Sequence, residues 1–321
     1  MQKGLFTVSV DLELAWGICD QILDDDARRA LSKERQIVKR LLNLMEEYEI
    51  RASWGVVGHL LQSENPWKSG TFHPEIPRPM LMGEARDWFF QVARDTSDPL
   101  WYGRDLVDMI KGCSPEQEIG SHSFCHVIYD EAAANQAAIM ADIQLAKEIH
   151  AANDLPFDFF IFPRNVMGFK EILAKSGIKV YRGHEERWYE SLPCKSVHRL
   201  LNLTYYLLSI TPSTVKAKRD EHGLINVPAS MLFIGRAGLL RDLIPDKSLA
   251  QMAIAGIDLA VKKKEIFHLW FHPSNFAYNT ELQFQNLENI FRQANKLREK
   301  GSLEQRTSGD IAKLSVYEQS H

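Results

Sequence analysis

The stretch Leu5–Glu13, LFTVSVDLE, decides how the rest of the chain is read. A run of apolar and β-branched side chains leads straight into two carboxylates, Asp11 and Glu13. In a strand, residues two apart point to the same side. Asp11 and Glu13 can therefore share one pocket, with Leu12 turned away. Charge beside a buried strand must be paired or lie near solvent. Such a pair could supply a metal ligand and a general base.

The same arrangement recurs along the chain. Glu118–Gly120 runs into SHSFCH, which carries His122 and His126. Phe157–Phe162 runs into Pro163, Arg164 and Asn165, and Ile266–Phe271 into His272. Parallel α/β barrels place their chemistry at the C-terminal ends of the strands, where the βα loops converge. Two histidines four apart suit one metal if a helical turn begins there. With an acid from another strand end they fit a 2-His-1-carboxylate site with open positions. Zinc suits that donor set best, and cobalt, nickel or iron are permitted. His272 stands at the functional end of its strand, whereas His268 reads as structural. Arg164, Asn165 and Arg182 could each orient a carboxylate or bind substrate, and each could equally make a structural salt bridge. Trp16, Trp54 and Trp188 read mostly as core or rim, with one or two able to stack on a sugar ring.

The remaining segments set the architecture. Strands are expected at 5–11, 51–57, 118–121, 157–162, 178–181, 224–227 and 266–271. Helices are expected at 24–48, 135–152, 168–176 and 281–300, from apolar spacing such as Leu31, Ile37, Leu41, Leu42 and Met45. Alternating strands and helices imply a parallel sheet with crossover helices. Seven such units predict an α/β fold, an irregular (β/α)7 barrel resembling a TIM barrel. Two long βα insertions, about 65–103 and 184–222, interrupt it. With no repeat or Gly/Ser linker, residues 1–321 read as a single catalytic domain.

Composition is that of a globular protein, with 45% hydrophobic and 25% charged residues. A net charge of −4 points to neither nucleic acid nor an anionic membrane surface. No apolar run approaches the ~20 residues of a membrane span. A strand starting at Leu5 leaves no room for a signal peptide, so a cytoplasmic location is expected, with Cys19, Cys113, Cys125 and Cys194 as free thiols. The oligomeric state is not legible.

Together these residues resemble the polysaccharide deacetylase family, the NodB-homology or carbohydrate esterase family 4 type. SHSFCH resembles the family's H-S/T-x-x-H metal motif, SVDLE its first acidic motif, ASWGVVG the strand that follows, and LWFHPSNF its final motif. The resemblance implies a deformed (β/α)7 barrel and a divalent metal held by Glu13, His122 and His126. It further implies Asp11 as catalytic base and His272 as general acid, acting on an N-acetyl or other N-acyl group of a sugar or glycan precursor. The chain departs from the pattern in three places. Asp11-x-Glu13 replaces adjacent aspartates. The family's arginine would fall at Ile161, so Arg164 is a shifted candidate for orienting Asp11. HEERW matches the fourth motif only loosely: Glu185 or Glu186 would pair with His272, and Trp188 would line the acyl pocket. Rival readings are a deformylase or ureide amidohydrolase of the same fold, a metal-free glycosidase using the two acids, and a non-catalytic sugar-binding relative.

Overall fold

The computed structural model describes residues 3–21, 23–62, 97–185, 187 and 195–319. In chain order its first half contains β1 (Gly4–Leu12), α1 (Asp25–Ser32), α2 (Glu34–Glu47), β2 (Ala52–Val56), α3 (Arg104–Lys111), β3 (Glu118–Ser121), α4 (Gln136–Ala152), β4 (Phe159–Ile161) and α5 (Lys170–Ser176). The second half contains β5 (Val180–Gly183), α6 (Lys195–Leu207), β6 (Lys218–Arg219), β7 (Ile225–Pro228), β8 (Met231–Leu232), α7 (Leu239–Asp242), α8 (Ser248–Lys263), β9 (Ile266–Phe271), α9 (Thr280–Glu299), β10 (Leu303–Gln305) and α10 (Ser308–Gln319).

The strands form one curled, mostly parallel sheet in the order β6-β7-β5-β4-β3-β2-β1-β9-β8, with β10 added to β1. One extended run of chain joins the two ends of this order. Ile225–Pro228 pairs with β5, and Met231–Leu232 pairs with β9. Between them, the Ala229 N–H bonds the Gly183 carbonyl and the Ser230 N–H bonds the His268 carbonyl. The result is the barrel-like α/β fold expected from the strand and helix alternation. Every residue of β1 and of β9 is buried. Parallel strands are covered on both faces, which explains their nearly continuous apolar character.

The details depart from the expected elements in several places. The helix expected at 24–48 is two helices meeting at Lys33, the first capped by the Asp24 side chain accepting the Ala27 N–H at 2.8 Å. Asn135 caps α4 in the same way, accepting from the Ala138 N–H at 2.7 Å. Both fit the preference for short polar side chains at helix starts. Helix α9 does not close the chain, because β10 pairs with β1 and α10 follows it. The short strands β6, β8 and β10, at two or three residues each, are too brief to leave a periodic signal. Of the two expected insertions, residues 65–96 lie outside the described residues, whereas 184–222 includes α6 and β6.

Strand β3 delivers the histidine loop and packs closely on β4. A Cβ built on Gly120 would lie 2.4 Å from the Phe159 carbonyl oxygen, a backbone atom that cannot swing away. Gly120→Ala is therefore expected to destabilise the protein by about 1–3 kcal/mol through overpacking. Chemical denaturation checks this, and a wild-type midpoint would show that the two strands can separate freely.

Candidate active site

The strand ends bring five side chains together. Asp11 ends the inward face of β1, and Glu13 follows it as the chain enters the short 3-10 turn Leu14–Ile18. Gly17, within that turn, leaves space for the Glu13 carboxylate, since a Cβ there would sit 1.9 Å from Glu13 Oε2. Glu13 Oε1 lies 2.8 Å from His122 Nε2 and 3.1 Å from His126 Nε2. His272 Nε2 stands 3.5 Å from Glu13 Oε1 and 3.6 Å from Asp11 Oδ2.

The histidine loop is not the helical turn that its spacing suggested. Ser123 and His126 both adopt left-handed backbone, with φ of 68° and 58°. The bend still brings the two rings to 5.1 Å between centroids. His122 Nδ1 lies 2.8 Å from the Ile161 carbonyl oxygen, which can only accept, so the proton belongs on Nδ1. A neutral His122 then turns an Nε2 lone pair toward a carboxylate oxygen. Two acceptors at that distance repel unless a proton or a cation lies between them. A carbonyl accepting the other ring N–H in this way is the usual means of orienting a metal-binding imidazole. The donor set of Glu13, His122 and His126 therefore fits a divalent cation. Asp11, Glu13 and His272 also lie close enough together to be a ligand group, but both Asp11 oxygens are already engaged by a guanidinium.

That guanidinium belongs to Arg182, at the end of β5. Arg182 Nη1 contacts Asp11 Oδ1, and Nη2 donates to Asp11 Oδ2 at 2.8 Å. Both side chains are almost fully buried. Arg182 Nη2 also donates to Asn165 Oδ1 at 3.0 Å, so Asn165 supports the arginine in addition to lying beside the site. Arg182 Nη1 reaches Ser9 Oγ at 3.3 Å, and Ser9 Oγ lies 2.9 Å from His268 Nε2. His268 Nδ1 donates to the Pro228 carbonyl, which leaves Nε2 to accept the Ser9 hydroxyl proton. The indole of Trp270 lies against the guanidinium, 4.2 Å from its centre.

These surroundings set the charges. Burial alone would raise Asp11, but the charges of Arg182, His272 and His122 outweigh it and hold its carboxyl below the usual range. Burial of Glu13 is opposed by the charges of His272 and His126 and by hydrogen bonds from both loop histidines, leaving it well below its ordinary value. Burial would lower His272, yet Glu13 and Asp11 together push it up to about 9. Burial, then the nearby Arg182 charge, depress His268 to about 3, so it stays neutral. Glu34, at the start of α2, is pushed up to about 8 by burial and by the charge of Glu13.

Several expected roles move. Arg164 sits in left-handed backbone and pairs with Asp20 at 2.5 Å, not with Asp11. Three residues past Ile161, its side chain turns to Asp20, and Arg182 of the neighbouring strand takes the place at Asp11. Trp16 is fully buried, donates through Nε1 to the Trp101 carbonyl at 3.1 Å and packs on His59, so it belongs to the core instead of to a sugar platform. Glu185 accepts from Arg187 Nε at 2.7 Å and from the Leu232 N–H, and it is Asp11 and Glu13 that face His272. Glu186 and Trp188 lie outside the described residues. The sequence reading also passed over Ser9 and left Arg182 undecided. An arginine in the buried strand-end run IKVYRG was the available signal, because a charge there must find a partner.

No family model matches the sequence, and neither does any curated protein. Solved structures do resemble it. A protein described as a polysaccharide deacetylase from Mycobacterium smegmatis superposes with a TM-score of 0.64 at 11% identity, over 99% of this chain and 92% of that one. A second, described in the same way and from Pseudomonas aeruginosa PAO1, gives 0.59 at 9% identity, over 96% and 89%. An allantoinase gives 0.57 at 9% identity, over 96% and 89%. The chain thus has the polysaccharide deacetylase fold, and at these identities the likeness concerns the fold alone.

Two outcomes follow from the ion pairs and from Glu34. Arg182→Met leaves Asp11 buried with only the longer contact to His272, and should cost about 3–5 kcal/mol in denaturation. Arg164→Met removes a partly exposed pair and should cost less than about 1 kcal/mol. Equal costs would refute the assignment of Arg182 to Asp11. For Glu34, the folded protein keeps a proton between its ordinary value of 4.5 and about 8 that the unfolded chain releases. Stability is therefore lost as pH rises through that window. Glu34→Gln should be neutral near the bottom of the window and raise the melting temperature at its top. A pH-independent difference between the two proteins would show that Glu34 is ionised when folded.

Proposed function

We propose that this protein is a metal-dependent hydrolase that removes an N-acetyl or other N-acyl group from an amino sugar or glycan precursor. The observation that carries the reading is one carboxylate oxygen, Glu13 Oε1, facing the Nε2 atoms of both loop histidines, with Asp11 and His272 beside it. Glu13, His122 and His126 would hold the cation, with zinc suiting two nitrogens and an oxygen and cobalt, nickel or iron permitted. When bound, such an ion supplies Lewis-acid polarisation of an acyl carbonyl and eases the ionisation of water.

The chain's own residues account for the proton transfers. Asp11 is ionised and fixed by Arg182, so it is oriented to accept a proton from the attacking water at its Oδ2, the oxygen nearer His272. Since Arg182 holds that carboxylate in place, little reorganisation is needed as the proton moves. His272 carries its proton at neutral pH and presents Nε2 to the same space, where it can donate to the leaving amine. The Asn275 side chain accepts the His272 N–H at 2.9 Å, which fixes the turn that carries the ring. The fold shared with an allantoinase supports a second reading, a ureide amidohydrolase using the same residues on a different pocket. A panel of N-acetyl, N-formyl and ureido compounds separates the two. A metal-free glycosidase using the two acids is separated from both readings by its insensitivity to chelators.

His122→Ala and His126→Ala should each abolish stoichiometric metal while leaving the far-UV circular dichroism unchanged. Full metal content in the double variant would remove the ligand assignment. Asp11→Asn should retain metal and lose about 10²–10⁴-fold in turnover, the usual range for a general base. The pH profile of kcat/KM should rise as Asp11 ionises and fall as pH passes through the His272 value. Neutralising Glu13 with a bound cation moves that falling limb downward from about 9. His272→Ala should erase the falling limb, and a variant that keeps both the limb and the rate would leave His272 a structural residue.

A further inference from the structure

We infer that Asp142, on α4, is a positioning residue for the metal centre, holding the histidine loop in its ligating shape without touching the ligands. The inference rests on the metal-dependent reading above. Asp142 is fully buried, and its carboxylate gathers the polar groups of the loop between and just beyond the two histidines. Oδ1 accepts the Ser123 hydroxyl at 3.0 Å, the Phe124 N–H at 3.1 Å and the Cys125 N–H at 3.2 Å. Oδ2 accepts the Phe124 N–H at 3.1 Å and the Tyr129 hydroxyl at 3.0 Å. The Cys125 thiol lies 3.7 Å from Oδ1. Ser123 Oγ, while donating to Asp142, accepts the Val127 N–H at 2.9 Å. The backbone amides at 124, 125 and 127 thus end on Asp142 directly or through Ser123.

This arrangement matters because the loop has no secondary structure to satisfy those amides. Its His122 and His126 come together only because Ser123 and His126 take left-handed backbone, which non-glycine residues adopt at a cost. Such a conformation persists only where its surroundings over-determine it. A buried carboxylate is itself costly unless several donors reach it, and here the loop supplies them. Helix α4 is therefore bound to one loop shape, the one in which both Nε2 atoms meet Glu13. The His122 N–H bond to the Val56 carbonyl and the Gly58 and His59 N–H bonds to the Ser123 and Phe124 carbonyls fix the loop from the β2 side. Asp142 fixes it from the helix side.

The test uses the full-length chain with Co²⁺ as the probe, read by its visible absorption and by chelator competition, beside the melting temperature of each metal-free protein. Asp142→Ala should weaken Co²⁺ binding about 10–100-fold and alter the absorption band, as loss of a supporting shell does. Asp142→Asn keeps one acceptor oxygen and should fall between. Ser123→Ala, which removes the hydroxyl link to Val127, should weaken binding in the same direction. The control is Asp24→Ala. Asp24 caps α1, accepting the Ala27 N–H at 2.8 Å, so its loss should lower the melting temperature without changing Co²⁺ affinity. If Asp142→Ala does not fold, Asp142→Asn and Ser123→Ala decide the matter. Wild-type affinity and spectrum in a folded Asp142 variant overturn the inference alone. A wild-type protein that takes up no Co²⁺ overturns it together with the metal-dependent reading.

Discussion

The buried pair of Asp11 and Arg182 is the constraint around which the site is arranged. Asp11 ends β1 and Arg182 ends β5, and three strands separate them in the sheet. Their contact runs through the barrel interior and ties opposite walls together. Two desolvated charges are costly there unless further hydrogen bonds support them. Ser9 and Asn165 each accept from one Nη of the guanidinium, the face of Trp270 covers it, and only its Nε is left without an acceptor among the described residues. His268 stays neutral beneath this layer, so it adds no second cation beside Arg182.

The pair also separates the chemistry of two acids that stand two residues apart. Asp11 is neutralised by a permanent cation, whereas Glu13 faces imidazoles whose charge can change. Like carboxylates in different surroundings take different roles, and here the surroundings come from different strands. His272 lies between the two acids and owes its raised proton affinity to both. The same negative field reaches Glu34, which holds its proton because burial and Glu13 oppose a further charge. Arg182 thus acts on Asp11 directly, while Glu13 shapes His272 and Glu34.

Much of the fold was legible because long strands and helices leave periodic signals. β3 and β9 fall where the pattern places them, and α4 begins at its Asn135 cap. The site was legible at the strand ends, where a polar residue following a buried run stands out: Asp11, Glu13, His122, His126 and His272 come together in the structure. Arg164 was misread because position near a strand end does not say which way a side chain turns once the backbone enters a left-handed residue.

What the sequence determined by itself was the alternation of elements and the presence of acids and histidines at several strand ends, since both follow from local spacing and from the cost of burying charge. Tertiary structure alone decided which arginine meets Asp11 and which carboxylate supports the histidine loop. Arg182 and Asp11 are 171 residues apart, and Asp142 reaches the loop from a separate helix. Neither contact has a local pattern, because each depends on how the sheet curls and on where α4 packs. A lone buried charge announces that it needs a partner, and only the closed interior of the barrel says which one it finds.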